Sequence, residues 1–316
     1  MSRPATGELQ LVVTAISEPA PAIRSVTLAA QDGRELPGHV PGSHLVLQCG
    51  AVANAYSLTT EGIAPAEYGI SVLRVAGGNG GSQWVHELRA GDRVTALPPR
   101  SGFAPVAIAR RHLLIAGGIG ITPILSHLRA ARRRGQDVQV LYRYREGAAA
   151  HVDDVRQLAG DAGLYTDRGS FSGALDDALA SQPMGTHLYA CGPGGLTGLV
   201  LERAAARGWP ASRRHVEHFA AAALDPGEPF ELAVTGSGTT LTVPSGVSML
   251  AALEGAGFDV PSRCRQGVCG ECRIPVTAGQ PLHRDLFLSD DERSAGDAVM
   301  PCVSRAAGPR LAVALS

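Results

Sequence analysis

The sequence predicts a multidomain fold: an antiparallel β-barrel, then an α/β domain with a parallel sheet, then a C-terminal module built around a cysteine loop. Three observations lead there. Residues 1–104 read as short apolar, β-branched runs cut by Gly, Pro and Asp, with no helical period. Over residues 105–225 strand-like and helix-like runs alternate, which means βαβ units and ligands at the carboxyl ends of the strands. In residues 226–316 four cysteines, Cys264, Cys269, Cys272 and Cys302, follow the pattern C-x4-C-x2-C-x29-C, the plant-type spacing at which four thiolates hold a [2Fe–2S] cluster.

Bulk properties narrow the class. A chain of 316 residues suggests two or three domains. Hydrophobic content of 45%, with 39 Gly and 21 Pro, suits a turn-rich globular protein and is too apolar for disorder. A net charge of −1 argues against non-specific nucleic-acid binding. No apolar run approaches the ~20 residues that span a bilayer, so no membrane partner is expected. The start, M-S-R-P-A-T-G-E-L-Q, lacks the apolar core of a signal peptide, and a cytoplasmic location is expected, where thiols stay reduced. All 28 basic residues are arginine. Schiff-base and P-loop lysine chemistry are therefore excluded, and anion contacts fall to Arg and backbone N–H groups.

In the first part, L-Q-L-V-V-T-A-I, R-S-V-T-L-A-A, S-H-L-V-L-Q-C and G-I-S-V-L-R-V are the strands. A helix is expected near Ser82 to Leu88, with Ser82 as its N-cap. Two stretches point to a ligand. In N-A-Y-S-L, residues 54–58, Tyr56 can stack on a planar group and Ser57 can donate to it. G-G-N-G-G-S, residues 77–82, is a glycine loop running into a helix, a phosphate cradle. Each alone is weak, since strand-end tyrosines are usually core and glycine runs usually turns. Together in one barrel they suggest a flavin site.

In the second part, H-L-L-I-A-G-G is a buried strand and I-T-P-I-L-S-H-L-R-A-A-R-R-R-G a helix, with Pro123 in its first turn and Gly135 after its end. D-V-Q-V-L-Y-R-Y is a second strand, Val152 to Ala159 a helix, T-H-L-Y-A-C a third strand, and Leu196 to Arg207 a closing helix. Two strand-end turns therefore face the ligand side: G-G-I-G-I-T-P at 117–123 and C-G-P-G-G at 191–195. Cys191 is either a small core residue or a neighbour of a nicotinamide ring. Arg143 and Arg145 end a strand where a ribose or 2′-phosphate would lie, or are a solvated strand end. Cys49 packs in a strand.

Residues 220–229, A-A-A-A-L-D-P-G-E-P, read as a linker. F-E-L-A-V and T-T-L-T-V-P then form a hairpin around T-G-S-G, and a helix runs from Ser248 to Ala256. Structural zinc or two disulfides are the alternatives to a cluster. Zinc sites favour two short hooks, whereas here three cysteines share one loop, and a disulfide scaffold expects a short secreted chain. Gly267 and Gly270 let the loop wrap closely with its N–H groups aimed at the sulfurs. Arg263, Arg265 and Arg273 make the rim basic, and the expected partner contact sets Arg263 and Arg265 against an acidic patch.

The order N-A-Y-S-L, G-G-N-G-G-S, P-P-R-S-G-F, G-G-I-G-I-T-P, C-G-P, H-V-E-H-F and C-x4-C-x2-C-x29-C resembles the phthalate dioxygenase reductase family, which includes vanillate demethylase reductase components, over essentially the whole chain. H-R-D at 283–285 and C-V-S-R-A at 302–306 fit it too. The resemblance implies an FMN barrel, a pyridine-nucleotide domain and a C-terminal β-grasp plant-type ferredoxin. Such proteins pass electrons from NADH or NADPH to a terminal oxygenase, typically a Rieske non-haem iron enzyme. Carried over, Tyr56, Ser57 and Leu58 contact the flavin ring, Gly80, Gly81 and Ser82 hold the FMN phosphate, and Phe219 lies against the flavin. Thr122 reaches it from the nucleotide domain. Gly118, Gly120, Cys191, Gly192 and Pro193 line the nicotinamide site, with Asp167 towards the adenosine. Ser57, Thr122 and Cys191 sit nearest the reacting atoms. The family's R-x-Y-S reads Asn54 here in place of Arg, so the phosphate charge falls to another arginine, first of all Arg74. The absence of a tight Arg cluster after the second strand of this part favours NADH. A cytochrome P450 or separate ferredoxin as partner, and a flavin/cluster redox sensor, are the alternative functions.

Overall fold

The computed structural model describes residues 7–160, 162–219 and 225–315. The leader reading rests partly on residues 1–6 and the linker reading partly on 220–224, both outside the described residues. Two compact units emerge: Met1–Ala51 with Tyr56–Phe219, and Ala220–Ser316 with Val52–Ala55.

The chain begins with β1 (Leu9–Ala20), β2 (Ile23–Ala30), β3 (His44–Cys49), β4 (Val52–Ser57, whose first four residues group with the second unit), β5 (Glu67–Leu73), helix α1 (Gly81–Glu87) and β6 (Arg93–Arg100). The sheet order is β4-β3-β6-β1-β2-β5. A bridge between Leu58 and Ile70 joins its two ends and closes the barrel. Leu11, Leu28, Leu45, Leu47, Leu58 and Ile70 fill its core, each contributing about 1.5–3 kcal/mol by leaving water. Ser82 is not the N-cap of α1. That position belongs to Gly80, at φ 94, while the Ser82 hydroxyl accepts the Val75 N–H at 3.0 Å. The left-handed turn demanded glycine, and the serine slipped into the first helical turn.

Next come β7 (Arg111–Gly117), α2 (Ile121–Arg134), β8 (Asp137–Arg143), α3 (Val152–Ala159), β9 (Gly163–Tyr165), α4 (Arg168–Ala180), β10 (Thr186–Cys191), α5 (Gly194–Ala206) and β11 (Arg214–Glu217). All pairings are parallel, in the order β11-β10-β7-β8-β9. The chain steps one way from β7 to β8 and the other way to β10, so the crevice above β7 and β10 is the switch point where such sheets bind ligands. α2 ends on Gly135 at φ 63 as its sequence requires.

A hydrogen-bond chain ties barrel to parallel sheet. His151, N-cap of α3 at φ 60, places Nε2 2.8 Å from Ser71 Oγ and Nδ1 2.8 Å from Asp154 Oδ2. Ser71 Oγ lies 2.7 Å from Ser25 Oγ, and Arg129 donates to Asp154 at 3.1 Å and to the Thr59 carbonyl at 2.5 Å.

The second unit contains β12 (Phe230–Thr235), β13 (Thr239–Val243), α6 (Met249–Gly255), β14 (Ile274–Ala278), β15 (Pro281–Leu282), α7 (Asp290–Ala295), β16 (Ala298–Val299), β17 (Arg305–Ala306) and β18 (Arg310–Ala314). The sheet runs β13-β12-β18-β14-β16, with the hairpin antiparallel and β12 parallel to β18. Ser248 caps α6 by accepting the Ala251 N–H at 3.1 Å, and Met249, Leu250 and Leu253 join Leu232, Val243, Leu311 and Val313 in one core. A helix across a mixed sheet of this order is the expected β-grasp.

Candidate functional site

At the switch point the turns after β7 and β10 touch backbone to backbone. A Cβ on Gly120 would fall 2.5 Å from the Cys191 carbonyl carbon, and one on Gly192 would fall 3.0 Å from Gly117 Cα. The floor of the crevice is thus peptide with no side chains, so a flat ring can lie on it. Gly118 adopts φ 54, and its carbonyl accepts the Tyr142 hydroxyl at 3.1 Å. Thr122 is buried in the first turn of α2 and donates to the Ile119 carbonyl at 3.1 Å. Pro193 is the N-cap of α5.

Cys191 is fully buried, and burial first, with Glu217 second, raises its thiol well above the ordinary range. It is a neutral thiol at physiological pH, suited to packing beside a ligand and unsuited to nucleophilic attack. Beside it stands a residue that sequence reasoning did not assign. Glu217 pairs in register with Cys191 across β10 and β11, its carboxyl 4.0 Å from the thiol. Residue 217 keeps some exposed surface, but the carboxyl itself is enclosed and accepts a hydrogen bond from Ser57; burial pushes it up to about 8. Ser57, at the end of β4, is itself buried. The set Ser57–Glu217–Cys191 therefore joins the barrel to the parallel sheet at one point. The only sequence cue to Glu217 was an acid in H-V-E-H-F, two residues after His215 and so on the same strand face.

Tyr56 and Asn54 are half-buried on β4, while the side chain of Leu58 belongs to the barrel core. Gly80, Gly81 and Ser82 form the turn into α1, with nothing within 4 Å of a Cβ added at Gly80. Because Ser82 Oγ accepts from Val75, its proton is left to donate. Arg74 is exposed beside this turn, and Phe219 is 44% exposed at the end of the unit. Hydroxyl and backbone donors with one guanidinium are the donor set a phosphate takes.

The adenosine-side candidates lie at the ends of β8 and β9. Arg143 sits over the Phe171 ring at 5.9 Å, and Arg145 is exposed. Asp167 is the N-cap of α4, accepting the Ser170 N–H at 2.8 Å, which foremost holds its carboxyl below the usual range. Its charge is thereby fixed at a strand end.

In the second unit Cys264, Cys269, Cys272 and Cys302 are all buried. Their sulfurs form two pairs: Cys272 Sγ lies 3.4 Å from Cys302 Sγ, and Cys264 is hydrogen-bonded to Cys269. Among the described residues no group of three or more suits a single metal ion. Two pairs are what a two-iron cluster asks for. Gln266 N–H donates to Cys264 Sγ at 3.3 Å, Val268 and Cys269 add backbone hydrogen bonds to it, and Gly267 adds one to Cys302. The hydrogen bond between Cys264 and Cys269 lowers the pKa of the Cys264 thiol and raises that of Cys269, so the pair shares a proton, while the backbone donors favour the Cys264 thiolate. Gly267 and Gly270 have φ of 72 and 79; a Cβ on the first would fall 2.6 Å from Val303 Cγ2, and one on the second would enter the Phe287 ring. Backbone donors aimed at the sulfurs suit an iron cluster. The rim is less cationic than its sequence implied, because Arg265 pairs with Glu254 at 2.5 Å and Arg273 with Glu292 at 3.2 Å.

Comparison with known proteins fits this arrangement. Residues 92–213 match the family model described as "Dimethylamine monooxygenase subunit DmmA-like, N-terminal domain", and residues 232–307 match the "2Fe-2S iron-sulfur cluster binding domain". The chain is 41% identical to the heme-dependent oxidative N-demethylase beta subunit of Ectopseudomonas mendocina (strain ymp), over 95% of this chain and 96% of that one. It is 39% identical to the vanillate O-demethylase oxidoreductase of Pseudomonas sp. (strain HR199 / DSM 7063), over 94% and 97%. Among solved structures it resembles phthalate dioxygenase reductase, described as a modular structure for electron transfer from pyridine nucleotides to [2Fe-2S], with TM-score 0.69, 31% identity and 98% of both chains covered. It also resembles an intact type IV self-sufficient cytochrome P450 monooxygenase, with TM-score 0.81 and 32% identity, covering 99% of this chain and 43% of that longer one.

Proposed function

The chain belongs to the phthalate dioxygenase reductase family, and on that premise we propose that it draws electrons from NADH and delivers them, through FMN and a [2Fe–2S] cluster held by Cys264, Cys269, Cys272 and Cys302, to a terminal oxygenase in a transient complex. The observation that carries this is the paired, donor-lined cysteine loop in the same chain as a glycine-floored switch point. The proposed domains are residues 1–104 for the flavin, 105–225 for the nucleotide and 226–316 for the cluster. When bound, the flavin turns the nucleotide's two-electron donation into single electrons, which the cluster carries on.

The chain's own residues do the rest by placement. Gly117, Gly118, Gly120, Gly192 and Pro193 clear a flat bed for the nicotinamide, with Thr122 and Cys191 beside it. Ser57, whose proton goes to the Glu217 carboxyl, presents its hydroxyl oxygen as an acceptor towards the flavin ring, which Tyr56 and Phe219 flank together with the backbone at Asn54 and Leu58. Glu217, protonated below about pH 8, holds a proton beside that site. Gly80, Gly81, Ser82 and Arg74 take the phosphate. Arg143, Arg145 and Asp167 face the adenosine, where the Asp167 carboxylate repels a 2′-phosphate and so selects NADH.

A haem-containing partner is the second reading. It is supported by the relative named as a heme-dependent N-demethylase subunit and by the likeness to part of a self-sufficient P450; the family resemblance supports a Rieske partner. No helix among the described residues is long and apolar enough to cross a membrane, and we place the protein in the cytoplasm without membrane or nucleic-acid partners. The test is the optical spectrum of the purified protein with identification of its extracted flavin. It is followed by turnover with NADH and NADPH, and by reconstitution with Rieske and haem oxygenases in parallel. FMN, a [2Fe–2S] spectrum and a kcat/KM favouring NADH are expected. Rapid reduction of cytochrome c by NADH excludes a pure sensor, and its absence contradicts the reductase reading.

A further inference from the structure

Behind the cysteine loop lies a carboxylate with no place in the site described so far. Asp285 is 2% exposed, a depth at which a carboxylate is rare without partners. Its Oδ2 accepts the Leu288 N–H at 2.9 Å and the Phe287 N–H at 3.2 Å, and its Oδ1 accepts the Ser304 hydroxyl at 3.2 Å. His283 Nδ1 stands 3.6 Å from the same oxygen, and Arg293 donates to the Asp285 carbonyl at 2.5 Å.

These bonds fix two segments that converge on Cys302. One is the cysteine loop. A Cβ on Gly267 would fall 2.9 Å from Asp285 Cα, the Leu286 N–H donates to the Gly267 carbonyl at 2.9 Å, and the Phe287 ring covers Gly270. Gly267 in turn is the residue whose backbone hydrogen-bonds to Cys302. The other is the chain just after Cys302, where Ser304 donates to Asp285 and accepts the Arg284 N–H at 3.1 Å.

We infer that Asp285 is the positioning residue of the sulfur loop: its carboxylate braces residues 285–288 against Gly267 and Gly270, anchors the Cys302 segment through Ser304, and sets a negative charge behind the cluster. The inference rests on the reading that the four cysteines hold a [2Fe–2S] cluster. Asp285→Asn keeps the shape and one accepting oxygen and removes the charge. It should assemble the cluster, with a midpoint potential above that of the unsubstituted protein, because a charge opposing electron addition is gone. Ser304→Ala keeps the charge and removes the hydroxyl that donates to Asp285 and accepts the Arg284 N–H. It should lose iron to a chelator several-fold faster while its potential moves less than that of Asp285→Asn.

Redox titration followed by electron paramagnetic resonance, together with chelator kinetics, reads both. An Asp285→Asn cluster with unchanged potential and unchanged chelator resistance overturns the inference. Should Asp285→Asn fail to fold, Ser304→Ala decides: faster iron loss supports the brace, and iron loss at the unsubstituted rate overturns it. A missing [2Fe–2S] signal in the unsubstituted protein overturns the cluster reading itself, and the inference with it, and is told apart because no substitution is involved.

Discussion

Glu217 is the residue on which the chemistry of the switch point turns. Its carboxyl titrates near 8 because it is enclosed beside a neutral Cys191, with only the Ser57 hydrogen bond favouring its charge. The folded state therefore binds a proton more tightly than the unfolded chain. Its contribution to stability is complete below the ordinary value of 4.5, declines as pH rises, and is lost above about 8. Glu217→Gln removes this titration. Chemical denaturation from pH 4 to 9 should show the wild type losing stability relative to Glu217→Gln across that window, by on the order of a few kcal/mol. A pH-independent difference contradicts the enclosed, protonated carboxyl. None of this was legible in the sequence, because the pairing of residues 191 and 217 depends on strand register. The four cysteines and their glycines were legible, because cluster chemistry writes a local spacing.

Two elements set the geometry around the proposed cofactors. The cysteine loop needs glycine at 270 on two counts, a φ of 79 and the Phe287 ring against its Cα. Gly270→Ala should lower or abolish the visible cluster absorbance while leaving nucleotide-dependent flavin reduction intact. Equal iron content in variant and wild type contradicts the packing account. The start of α3 is the other. His151 lies between Ser71 and Asp154, and its hydrogen bond is the foremost cause that holds the Asp154 carboxyl below its ordinary value of 3.8. That part of the stability is present above pH 3.8 and fades as pH falls below it. His151→Ala should cost about 1–3 kcal/mol by removing both of its hydrogen bonds, although Ser71 keeps Ser25 and Asp154 keeps Arg129, read by thermal unfolding and by faster hydrogen exchange over 152–159. Helix α3 was legible because its apolar period is local, but its partner Ser71 lies 80 residues away. The elements β9, α4 and β11 were not read: β9 has three residues, β11 four, and α4 opens R-G-S-F-S-G, a weak helix former.

The whole molecule is an order of parts. A closed barrel and a doubly wound parallel sheet precede a β-grasp module, and that order was readable because turn chemistry and periodicity announce each class. Partner recognition was less readable. The arginines around Cys264 looked like a free basic rim, yet Arg265 is committed to Glu254 and Arg273 to Glu292. Electron delivery to an oxygenase should therefore depend only weakly on ionic strength, and a steep fall in rate between low and physiological salt would restore the basic-rim account. On the proposed function, one chain carries electrons from a pyridine nucleotide to its own iron–sulfur cluster. The most direct test is anaerobic stopped-flow mixing of the holoprotein with NADH, followed at the flavin and cluster bands, for wild type and Cys269→Ser. Both bands should bleach in the wild type, and the flavin band alone in the variant. A wild-type cluster band that stays oxidised while the flavin band bleaches fully would contradict it.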